Sequence, residues 1–129
     1  MTVMAKEWLK SAKTDLLTIE KIINEADLSH VVAFHSQQAV EKSFKALLEN
    51  RKIDFKKQHD LIKIKNKIDD FDADQDTLDT LNKLYIDSRY PGELGLLPYG
   101  KPTIQDAKNF FDFACEIYDK IDAILKEEN

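Results

Sequence analysis

The chain's 129 residues suit a single domain over 1–129, and 43% apolar residues suffice for one continuous core without disulfides or metal. A charged fraction of 33% at a mean hydropathy of -0.46 describes a folded, well-solvated chain and excludes a disordered polymer, which carries far fewer core-forming side chains. A formal net charge of -5 excludes nucleic-acid binding through overall charge alone, because counterion release needs Lys and Arg gathered on one surface.

The opening MTVMAKEWLK carries charge from Lys6 onward without an apolar h-region, so neither a signal nor a transit peptide is expected. Trp8, Ala12, Leu16, Ile19, Ile22, Ile23 and Ala26 then recur at three- and four-residue steps and predict a first helix of about twenty residues. A second helix is predicted from near Ser29, a candidate N-cap, through Val32, Val40, Phe44, Leu47 and Leu48.

From Arg51 to Lys67 seven bases stand against two acids, and from Asp69 to Asp79 six aspartates stand against no base. These blocks read either as a charge-compensated surface or, for the first, as a basic lip for phosphates. Within them, Asp60 to Ile68 predicts a short third helix. Thr77 to Tyr90 predicts a fourth, approached by aspartates that suit the positive end of a helix dipole and stopped by Pro91.

Glycine and proline concentrate in PGELGLLPYGKP, residues 91–102, the strong interruption in the chain. The last helix is predicted to start at Thr103, where Thr-Ile-Gln-Asp has the form of a capping box with Asp106 in place of Glu. It carries Phe110, Phe111, Phe113 and Tyr118, which with Trp8 are expected in the core and at a dimer interface, since the phenylalanines cover more than one helix face. The lone Cys115 sits in the same apolar pattern, as a small buried hydrophobe. No stretch reaches the roughly 20 apolar residues of a membrane span. The expectation is an all-α up-and-down bundle of four or five helices, in the cytoplasm.

Three ordered segments carry more than periodicity. The second predicted helix contains Ala33-Phe34-His35-Ser36-Gln37-Gln38-Ala39-Val40-Glu41-Lys42; His59-Asp60-Leu61 opens the third; Ser88-Arg89-Tyr90-Pro91 closes the fourth. Together they resemble the HEPN domain family, with its A-x-F-x-x-Q-Q-A-x-E-K, H-D-L and S-R-Y-P segments. The resemblance implies a helical bundle that dimerises, is often encoded beside a minimal nucleotidyltransferase in a toxin–antitoxin-like pair, and is associated with nucleotide or RNA binding. In metal-independent ribonuclease members, an Arg is followed four to six residues later by a His, and the pairs of two subunits share a cleft. Arg neutralises charge developing on phosphate, and His moves a proton near neutral pH.

This sequence departs from that pattern: His30, His35 and His59 all precede Arg89, so no Arg-to-His pair has the family spacing. No catalytic residue is therefore assigned. The expectation is a binding or regulatory module acting with a nucleotidyltransferase. The alternatives are a ribonuclease toxin using Arg89 with Tyr90 or a partner subunit's imidazole, and a purely structural interaction protein.

The candidate nucleotide- or phosphate-binding residues are Gln37, Gln38, Glu41, Lys45, His59, Asp60, Arg89 and Tyr90. Gln37, Glu41 and Lys45 lie at i, i+4 and i+8 on one helix face, either as a fixed hydrogen-bond network or as readers of a base edge and a phosphate. Asp60 is placed to cap the third helix, with His59 at that junction. Arg89 either caps carbonyls or grips phosphate. His30 and His35 lie five apart, which is not the i, i+4 pairing of a zinc site, and no glycine-rich phosphate loop is present. Neither metal nor cofactor is expected.

Overall fold

The computed structural model describes residues 1–55, 57–87 and 101–128. Among the described residues five α-helices are formed: α1 (Val3–Ile22), α2 (Ser29–Asn50), α3 (Leu61–Lys65), α4 (Gln75–Asp87) and α5 (Ile104–Glu127), with no strand.

Four of the five helices start at a side-chain cap. Thr2 caps α1 by accepting the Ala5 amide at 3.1 Å. The Asp60 carboxylate caps α3, accepting the Ile62 and Lys63 amides at 2.9 and 3.2 Å. Asp74 accepts the Thr77 amide at 3.1 Å, so α4 begins at Gln75, two residues before the predicted start. Thr103 and Asp106 form the reciprocal capping box of α5, each backbone amide bonded to the other's side chain at 3.0 Å.

Three predicted boundaries are corrected. The first helix stops at Ile22, and Ala26 falls in a separate 3₁₀ turn, Ala26–Leu28. Ser29 is not an N-cap: it is already helical, and its hydroxyl donates to the Pro102 carbonyl, tying the start of α2 to the approach of α5. The third helix is regular only over Leu61–Lys65, after which tighter i→i+3 bonds from Lys67 and Ile68 carry the chain on. The predicted end of the fourth helix, from Ser88 to Pro91, lies outside the described residues.

Side-chain contacts fix the directions. The Thr2 amide bonds Asn50 at 2.9 Å while Lys42 reaches Asp15 at 2.8 Å, so α1 runs antiparallel to α2. Tyr85 near the end of α4 stacks on Phe34 near the start of α2, and Phe71 before α4 packs edge-on against Phe44, so α4 is also antiparallel to α2. Ser29 meets Pro102 at one end and Arg51 meets Glu128 at the other, so α5 runs parallel to α2. The result is an up-and-down bundle with α2 at its centre, packed against all four other helices.

That position explains the composition of α2. Ala33, Ser36, Ala39, Ser43 and Ala46 are fully buried small residues that let neighbouring helices approach, while Val40, Phe44, Leu47 and Leu48 fill the space between them. Phe110 completes the core from α5, with the half-buried Phe111, Phe113 and Tyr118 packed against it. Burial and the carboxylates of Asp119 and Asp112 hold the Cys115 thiol above its ordinary range.

Candidate functional site

The polar stripe of α2 faces inward. Gln37, Glu41 and Lys45 are 0%, 4% and 4% exposed, so each must find partners within the protein. Gln38 Nε2 donates to Gln37 Oε1 at 2.6 Å, and Gln37 Nε2 donates to Glu41 Oε1 at 3.1 Å. Lys45 Nζ donates to Glu41 Oε2 at 3.0 Å. The ammonium also lies 5.4 Å from the Trp8 ring centroid and 5.5 Å from that of Phe55. Its charge is thus met by one carboxylate and two aromatic faces in a site that holds little water.

The stripe surfaces at His59. Its Nδ1 lies 3.2 and 3.3 Å from the two Glu41 oxygens, while the side chain is 49% exposed. The carboxylate at Nδ1 orients the ring, with Nε2 on its opposite edge. The ring sits 6.0 Å from Tyr85, which itself stacks on Phe34 at 6.1 Å. His59, Asp60, Asn82, Tyr85 and Ile86 line a cleft of about 150 Å³.

Asn82 locks the cleft floor. Its side chain accepts the Leu61 amide at 2.8 Å and donates to Asp60 Oδ1 at 2.9 Å, so α4 fixes the first turn of α3 from outside. Asp60 Oδ1 therefore receives three N–H donors. Gln58 completes the junction, its side-chain Oε1 accepting the His59 and Asp60 amides at 3.2 and 3.1 Å.

Of the candidates drawn from the sequence, Gln37, Gln38, Glu41, Lys45, His59 and Asp60 are brought into one connected region, the first four beneath the cleft and the last two on it. Arg89 and Tyr90 lie outside the described residues. Sequence reasoning missed Asn82 and Asp15, both polar residues at core positions of amphipathic repeats. Asn82 follows Leu78 and Leu81, and Asp15 falls between Ala12 and Leu16. Asp15 is 6% exposed and binds His35 Nδ1 and Lys42 Nζ, each at 2.8 Å, forming a charged link between α1 and α2.

The basic block is partly committed to structure. Arg51 pairs with Glu128 at 2.7 Å, and Lys67 donates to the Asp54 carbonyl at 2.9 Å. Lys52, Lys57 and Lys63 are exposed. Among the described residues no group of three or more His, Cys, Asp or Glu side chains is arranged to hold a metal ion, and no helix is long and apolar enough to cross a membrane.

An all-helical up-and-down bundle, whose central helix carries a buried acid–amide–base stripe under an aromatic cleft, defines the class. The chain belongs to the HEPN domain family, whose profile matches residues 5–124. The fold is shared with the crystal structure of TT1696 from Thermus thermophilus, with a TM-score of 0.76 and 24% identity over 95% of this chain and 98% of that one. It is similar too to ST0689, described as an archaeal HEPN homologue, with a TM-score of 0.69 and 26% identity over 95% and 98% of the two chains. No curated protein gives a significant match.

Proposed function

We propose that this HEPN domain is a nucleotide- or RNA-associated binding and regulatory module, dimeric in solution, which acts with a minimal nucleotidyltransferase in a toxin–antitoxin-like pair. The observation that carries the binding reading is the cleft itself. An imidazole and a phenol ring offer aromatic surface to a base, Asn82 and Asp60 supply polar edges, and the network below holds His59 in place. Family membership supports the dimer and the partner.

The test is thermal shift and calorimetric titration against a panel of adenine and cytosine nucleotides. Binding raises the melting temperature as ligand concentration exceeds Kd, and His59→Ala, at a half-exposed position, reduces the shift while leaving the unliganded fold intact. A panel with no response removes the reading. Sedimentation at micromolar concentration is expected to give a dimer, and co-expression with a nucleotidyltransferase encoded beside it is expected to give a complex. A monomer, or failure to co-purify, counts against the assembly.

A second reading, a metal-independent ribonuclease, is favoured by the carboxylate on His59 Nδ1, which orients an imidazole that lines the cleft. Incubation with single-stranded and structured RNA in EDTA decides it. Cleavage lost in both His59→Ala and Arg89→Ala establishes it, and intact RNA removes it.

A further inference from the structure

A second cleft, of about 240 Å³, is lined by Phe55, Lys57, Gln58 and Lys67. It is joined to the first by one side chain. Gln58 lines the second cleft, and its side-chain Oε1 accepts the backbone amides of His59 and Asp60, which line the first. The two also rest on one buried ion pair: Lys45 lies under the Phe55 ring while Glu41 holds His59.

Their electrostatics are opposite. The first cleft contains Asp60 and lies over Glu41, which disfavours an anion but provides acceptors for an amino-bearing base edge. The second contains two cations, Lys57 and Lys67, both exposed, beside an aromatic ring. Each cleft is smaller than the roughly 300 Å³ at which sites for drug-sized ligands begin. A ligand that satisfies both must carry an uncharged aromatic unit and, displaced from it, phosphate charge. Alternation of aromatic and cationic groups along one track is how single strands are held without sequence readout.

We infer that residues 57–60, with Phe55, Lys67 and Tyr85, form a track for a single-stranded oligonucleotide, with a base against His59 and Tyr85 and backbone phosphate on Lys57 and Lys67. This rests on the nucleotide-binding reading above and extends it from a single base to a strand.

The experiment titrates the intact protein with AMP and with tetra-adenylate at several salt concentrations, comparing wild type, His59→Ala and Lys57→Gln/Lys67→Gln, with melting temperature as the check on folding. The tetranucleotide is expected to bind on the order of tenfold more tightly than AMP at about 0.1 M salt, where phosphate contacts still count. The double lysine variant is expected to lose that gain, flatten the salt slope by about 1.4 and keep AMP binding. His59→Ala is expected to weaken both ligands. Equal affinity for AMP and tetra-adenylate, or a tetranucleotide affinity untouched by the lysine changes, overturns the track while leaving the base site standing. No binding of either ligand overturns both readings.

Discussion

Placing an ammonium where water cannot follow costs several kcal/mol, and Lys45 offsets that cost with Glu41 and the faces of Trp8 and Phe55. The pair is therefore far more costly to break than to replace. Glu41→Gln, which leaves the Lys45 charge uncompensated, is expected to destabilise the fold by about 3–5 kcal/mol in urea titration. Glu41→Gln combined with Lys45→Met is expected to recover most of that loss, because no unpaired charge stays behind. Strictly additive single changes in the double-mutant cycle would refute this account. The capping role of Asp60 was legible from its position before an apolar run. The inward direction of Lys45 was not, because an i+8 spacing gives the face of a helix and not what lies opposite.

At the scale of elements, α2 ends without glycine. Lys52 occupies the left-handed region at φ 59°, and the Ile53 and Lys52 amides close back on Leu48 and Glu49 at 2.9 and 3.2 Å, the two bonds of a Schellman motif. A side chain in that conformation costs roughly 1–2 kcal/mol that glycine avoids, partly offset by glycine's greater freedom when unfolded. Lys52→Gly is expected to raise stability by about 1 kcal/mol, read as a shift in denaturation midpoint at constant slope.

The neighbouring Arg51 donates two hydrogen bonds to Glu128 and, with help from Asn50, holds that carboxyl below its ordinary range. A depressed folded-state pKa means the contribution is present above the unfolded value, about 4.3, and disappears as pH falls through the folded one. The stability gap between wild type and Glu128→Gln is therefore expected to be constant between about pH 7 and 6 and to close in acid, as measured by denaturation at stepped pH. Helix existence and the caps at Asp60 and Thr103 were legible in the sequence because they depend on residues within one turn of each other. The role of Ser29 was not, because its partner, Pro102, lies 73 positions away.

For the molecule as a whole, the class and the three segments that mark the family could be read directly, since helical periodicity and short ordered motifs survive without coordinates. The cleft could not. It exists only where the end of the connection after α2, the first turn of α3 and the last turns of α4 meet, and Asn82, which fixes that meeting, gives no local signal beyond being polar among leucines. The central place of α2 has a further bearing on how the protein breathes. Its amides, enclosed by four neighbours, should exchange with deuterium only through global unfolding, whereas residues 57–60, with few regular backbone bonds, should open at far lower free energy. An occupant of the cleft should then slow exchange at 57–60 and 82–86 while leaving the α2 rates almost where they were, so that the binding surface can tighten and relax without the bundle's axis taking part.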